Sequence, residues 1–134
     1  MQSNVGLIGL GAMGSGMAGS LRRHGCKVHV FDVREVAAQA FAAEGGVACA
    51  SPAELAANCN VIVSVVVNAA QTEAVLFGDK GCADAMRPGS VFVMCSTVDP
   101  NWSIAMEARL AKLGILYVDA PISGGAAKAA SGQM

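Results

Sequence analysis

The chain has 134 residues, a formal net charge of −1 and a composition 54 % hydrophobic and 14 % charged, with four phenylalanines, one tyrosine and one tryptophan. That length suits one domain with its own core, and with no basic stripe and few aromatics it excludes a nucleic-acid partner. No apolar run approaches the roughly 20 residues that cross a bilayer, and the start lacks the charged and apolar regions of a secretory signal, so no membrane partner and a cytoplasmic location are expected.

In chain order, a predicted strand at residues 5–8 runs into a glycine-rich turn and then a helix whose Met13, Met17 and Leu21 recur at i, i+4 and i+8. Residues 27–31 read as a second strand, ended by Asp32, with a helical run starting near Arg34. Ser51 and Pro52 look like an N-cap and first helical residue, opening a helix through Asn58. Strands follow at residues 61–65, 91–94 and 115–118, and Met106, Leu110 and Leu113 mark a helix before the last of them. Gly25, Gly45 and Gly114 each sit just past a helical stretch, where a left-handed residue closes a helix. Repeated strand–helix–strand units predict an α/β fold, a Rossmann-type doubly wound parallel sheet with helices on both faces. The tail GGAAKAASGQM is small and polar and carries neither an evident helix cap nor a closing strand.

The five cysteines, Cys26, Cys49, Cys59, Cys82 and Cys95, form no CxxC pair, and neither His24 nor His29 has metal-site spacing to one of them. Buried reduced thiols and no metal are expected.

The string GLGAMG supplies Gly9, Gly11 and Gly14 as GxGxxG between a strand and a helix, with the acidic Asp32 18 residues further on. This is the spacing of a dinucleotide-binding turn. Gly9 permits the tight turn, Gly11 the approach of the backbone to a pyrophosphate, and Gly14 close helix–strand packing. The helix start, at Ala12 and Met13, would offer free N–H groups to the phosphates. Gly16 and Gly19 are expected to pack the helix closely on the sheet. Asp32 would accept hydrogen bonds from the adenosine ribose and repel a 2′-phosphate, favouring NAD over NADP; it also reads as an N-cap for the helix that follows. Arg34 reads as a solvated cation.

Two later strings, CSTVDP (residues 95–100) and VDAPISGG (residues 118–125), each end a predicted strand. With GLIGLGAMG they resemble the β-hydroxyacid dehydrogenase family, which includes 3-hydroxyisobutyrate and 6-phosphogluconate dehydrogenases, over the whole chain and in order. The resemblance implies that Ser123, Gly124 and Gly125 hold the carboxylate and hydroxyl of a hydroxy acid. It implies that Thr97 contacts the nicotinamide end, with Thr97 or Ser96 also free to cap the next helix. It places Val66, Val67 and Gln71 on a loop passing the cofactor, with Val-Val where the family has Leu-Pro, so that the valines offer only backbone or apolar contacts.

After SGG the chain reads AAKAASG, similar to the branch that oxidises four-carbon sugar acids such as threonate. There Lys128 would stand beside the carboxylate loop, or else be a solvated lysine. In the family the catalytic lysine lies on a helix well beyond SGG, ahead of a helical C-terminal domain. Residues 1–134 are therefore expected to be the dinucleotide-binding portion of a longer enzyme, with the catalytic lysine beyond Met134. The activity implied is NAD-dependent oxidation of a 3-hydroxy acid by a homo-oligomer. The alternatives are a stand-alone NAD-sensing module and a reductase of short aldehydes or imines.

Overall fold

The computed structural model describes residues 4–122 and 125–132. Strands β1 (Asn4–Ile8), β2 (Lys27–Phe31), β3 (Val47–Ala48), β4 (Val61–Ser64), β5 (Val91–Met94) and β6 (Leu116–Asp119) pair in parallel in the order β3-β2-β1-β4-β5-β6. Helices α1 (Ala12–Arg23), α2 (Glu35–Ala43), α3 (Pro52–Asn58), α4 (Ala69–Phe77), α5 (Pro100–Ala111) and α6 (Gly125–Ser131) connect and flank them. The strand order reverses between β1 and β4, which opens a crevice beyond their carboxyl ends.

Successive strand residues serve opposite layers. Leu7, Val28, Val30 and Val63 pack with Ala18 of α1 and with Ala38 and Phe41 of α2. Ile8, Ile62, Phe92 and Met94 pack with Leu55 of α3, Leu76 of α4 and Leu110 of α5. Burial on both faces is why these strands read as continuous apolar runs rather than alternating ones. All five cysteines are free, four of them buried, and burial pushes the Cys82 thiol up to about 12.

The helix ends follow the expected chemistry. Gly25, Gly45 and Gly114 have φ of 95°, 114° and 76°, and the residue after each donates back to the helix: Cys26 N–H to Leu21, Gly46 to Phe41 and Ile115 to Leu110. Because the Ile115 N–H closes α5 in this way, the last strand starts at Leu116, one residue later than expected. Ser51 Oγ accepts from Glu54 N–H at 3.1 Å with Pro52 as the first helical residue, as read from sequence.

The edge strand β3, at a place where no strand was expected, is only two residues long, too short to carry a pattern. Four expectations are corrected. The residues that α1 buries are Gly14, Ala18 and Ser20, while Met17 and Leu21 are partly buried. The tail forms helix α6, which packs on α1. A Cβ on Gly16 would lie 2.8 Å from Ala130 N and 3.0 Å from Ala129 Cβ, so Gly16 serves a helix–helix contact, not the sheet. Gly19 meets only the Arg23 side chain, which in turn donates to the Ala130 carbonyl.

Candidate functional site

A cavity of about 600 Å³ opens at the β1/β4 reversal. Its walls come from the turn after β1 (Gly9, Gly11), the tip of β2 (Asp32, Val33, Arg34) and the loop after β4 (Val66, Val67, Gln71). The glycine turn is built as its spacing predicts. Gly9 has φ +101°, and a Cβ there would stand 2.6 Å from the Val65 carbonyl oxygen. A Cβ on Gly14 would lie 1.8 Å from Gly9 O, so only glycine lets α1 start this close to the turn. Gly11 differs from both: a Cβ would meet nothing within 4 Å. Its space opens onto the cavity, a cradle that a side chain would fill.

The start of α1 is also without a side-chain cap or an acidic residue in its first turn. By contrast Ser51, Asn68 and Asp99 cap α3, α4 and α5 with side-chain acceptors. The first N–H groups of α1, at Ala12 and Met13, therefore face outward with the positive end of the helix dipole, as a phosphate requires. Neither Ala12 nor Met13 lines the cavity with its side chain. Among the described residues, no group of three His, Cys, Asp or Glu side chains could hold a metal ion.

Asp32 stands at the tip of β2 with its side chain only 7 % exposed. Oδ2 accepts from Leu10 N–H at 2.6 Å, and Oδ1 from Arg34 N–H at 2.8 Å and Arg34 Nε at 3.2 Å. Burial pushes its pKa up, but the two N–H donors and the Arg34 guanidinium outweigh it and hold the carboxyl below its ordinary value. Asp32 is thus not the N-cap of α2: that position is Arg34, whose side chain caps nothing. Arg34, although 64 % exposed, is not simply solvated, since it spans Asp32 and the Leu10 carbonyl at 3.1 Å. The carboxylate is therefore both a cavity wall and the anchor of the glycine turn. The sequence alone shows the acid, but not that the backbone of Leu10 would use it.

The loop after β4 is closed on itself. Val67 N–H donates to Gln71 Oε1 at 2.9 Å and Gln71 N–H to Asn68 Oδ1 at 2.9 Å. Ser96 Oγ donates to the Val66 carbonyl. Val66 and Val67 line the cavity and offer it apolar surface. Ser96 and Thr97 do not cap α5, which is capped by Asp99 accepting from Asn101 N–H at 2.7 Å. Thr97 is exposed and lies off the cavity. Val33, Pro52, Ala74, Val75 and Asp79 also line it; no spacing rule marks them, because α3 and α4 reach the site only through the fold. Ser123 and Gly124 lie outside the described residues, Gly125 begins α6, and Lys128 is exposed on α6.

A six-stranded parallel sheet in this order, with a glycine turn, an uncapped helix start and an acid at the second strand tip, defines a dinucleotide-binding domain of the Rossmann type. Residues 4–134 match the family model described as the NAD binding domain of 6-phosphogluconate dehydrogenase, and the chain belongs to that family. It is 56 % identical, over all of its 134 residues, to L-threonate dehydrogenase of Cupriavidus necator, covering 45 % of that protein. It is 34 % identical over 122 residues to mitochondrial 3-hydroxyisobutyrate dehydrogenase of Drosophila melanogaster, covering 91 % of this chain and 37 % of that one. It superposes with a TM-score of 0.92 and 41 % identity on the crystal structure of 3-hydroxyisobutyrate dehydrogenase from Salmonella typhimurium, covering 98 % of this chain and 46 % of that one. The chain spans less than half the length of each. Among the described residues no helix is long and apolar enough to cross a membrane.

Proposed function

We propose that the full-length protein is an NAD-dependent dehydrogenase oxidising a 3-hydroxy acid, with a four-carbon sugar acid such as threonate as its substrate, and that residues 1–134 are its dinucleotide-binding domain. The observation that carries this reading is the cradle at the β1/β4 reversal, where Gly11 leaves open space beside an uncapped helix start and Asp32 anchors the same turn. The 56 % identity to an L-threonate dehydrogenase supports the choice of acid.

In this reading Gly9 and Gly14 set the turn, and Gly11 with the N–H groups of Ala12 and Met13 takes the pyrophosphate. Asp32 takes the adenosine ribose, and its carboxylate disfavours a 2′-phosphate, so NAD is preferred to NADP. Val66, Val67 and Gln71 flank the dinucleotide, and Thr97 stands towards its nicotinamide end. NAD, when bound, accepts a hydride from the carbinol carbon of the acid. Ser123 and the backbone of Gly124 and Gly125 orient the acid, with Lys128 near its charge. The hydroxyl proton passes to a lysine outside residues 1–134, in a helical C-terminal domain through which the protein forms a homo-oligomer.

The test uses the full-length enzyme, a panel of sugar acids and both cofactors. Turnover of a four-carbon sugar acid with a clear preference for NAD is expected, and Ser123→Ala should lower kcat/KM for the acid while NAD affinity stays the same. Equal kcat/KM with NAD and NADP, or equal loss of acid turnover and NAD binding in Ser123→Ala, would sink these assignments.

A further inference from the structure

Ser96 belongs to none of the roles that sequence suggested for it, yet it is 6 % exposed and its hydroxyl is spent on a single partner across the sheet, the Val66 carbonyl. Parallel strands exchange hydrogen bonds in steps of two residues. Along β4 and β5 the ladder runs through Cys95 N–H to Ser64 C=O at 3.0 Å. Carried on by two residues, the same register would set Thr97 N–H on the Val66 carbonyl. The Ser96 side chain takes that carbonyl instead. A hydroxyl thus replaces a rung of the ladder at the point where the two strands leave the sheet.

The place matters for the cavity. Val65 N–H is held by Ile8 O at 2.8 Å, and the Val65 carbonyl is what a Cβ on Gly9 would strike. The next residue, Val66, is a wall of the cavity. Gln71 and Asn68 tie the rest of that loop to itself, so among the described residues the bond from Ser96, just past β5, ties it to the β5 side. Resting on the cofactor-binding reading above, we propose that Ser96 is a positioning residue for the dinucleotide: from the β5 side it pins the Val66 carbonyl and so fixes the loop after β4 beside the glycine turn, so that the Val66 wall of the cavity is formed before the ligand arrives. A preformed wall leaves less ordering to be done on binding.

The test titrates the chain of residues 1–134 with NAD and with ADP-ribose by calorimetry, and follows backbone amide exchange without ligand. Ser96→Ala should weaken both ligands by the same factor, about tenfold, the worth of one lost buried hydrogen bond. It should also speed exchange at Val65 and Val67 while leaving the amides of β2 unchanged. Ser96→Thr, which keeps the donor, should restore both ligand affinity and slow exchange. If Ser96→Ala does not fold, Ser96→Cys, a weak donor, serves in its place against Ser96→Thr. Unchanged ADP-ribose affinity in Ser96→Ala beside normal binding by the parent chain would overturn the positioning role alone. A parent chain that bound neither ligand would overturn the cofactor site and this role together.

Discussion

Gly11 and Gly14 lie three residues apart in one turn and answer to opposite demands. A methyl on Gly14 would collide with the backbone oxygen of Gly9, and a methyl on Gly11 would meet nothing. Gly14→Ala should therefore destabilise the free protein, by about 3 kcal/mol on the scale of overpacked sites. Gly11→Ala should cost less than about 1 kcal/mol, the usual range for a helix N-cap exchange. It should nonetheless weaken NAD by about tenfold or more, because the methyl occupies the approach of the pyrophosphate. Thermal melts and calorimetric titrations of the two variants separate these effects. Asp32 gives a second test at this scale. Its folded pKa lies below the unfolded value of about 3.9, so its stabilisation is complete well above that pH and is lost as pH falls through the folded value. The stability gap between the parent chain and Asp32→Asn should shrink on acidification below about pH 4. A gap that stayed constant there would show that the bonds from Leu10 and Arg34 do not depend on charge.

Strand β2 carries an unexplained polar group, His29, 6 % exposed and with neither ring nitrogen hydrogen-bonded among the described residues. Burial, with a smaller push from Lys27, lowers its pKa. Its contribution is therefore intact above the unfolded value of about 6.5 and declines as pH falls towards the folded value, because the unfolded chain takes the proton more readily. His29→Leu should remove that slope, measured by urea melts from pH 7 to pH 5, and raise stability in the acidic half of the range. An unchanged slope would place the titration elsewhere. As an apolar-looking strand with a histidine inside, β2 was legible, and so were β1, β4 and β5, because burial on both faces writes long β-branched runs into sequence. Helix ends at glycine and at Ser51-Pro52 were legible too, since local hydrogen bonds decide them. β3 was not, because two residues on an edge are held by pairing with β2 rather than by any pattern of their own. Helix α6 was hidden for the converse reason. Ala129 and Ala130 look like filler until Gly16 of α1 leaves room for them. The same division holds in the site. Gly9, Gly11, Gly14 and Asp32 could be read from spacing, whereas Ser96 and the partners Leu10 and Arg34 depend on which loops the sheet brings together.

Across the whole molecule, the two halves of the sheet are unequally covered. The outer strand β6 leaves Leu116 60 % and Val118 44 % exposed, and Val61 of β4 is also exposed. Exposed apolar side chains on an open strand edge favour association, so residues 1–134 should self-associate at raised concentration. Sedimentation should show this, and Leu116→Lys with Val118→Lys should reverse it; a monomer at all concentrations would mean the edge is benign. On the proposal that the base and the closing domain lie elsewhere in the full-length protein, the same chain should produce no NADH from any acid in a sugar-acid panel. Turnover by it would direct attention to Lys128. The central claim is that the β1/β4 crevice holds NAD through the glycine turn, and calorimetric titration of residues 1–134 and of Gly11→Ala with NAD tests it most directly. The account predicts a single site in the parent chain, largely lost in a Gly11→Ala variant that melts almost normally. Absence of binding by the parent chain, or equal binding by the two, would contradict it.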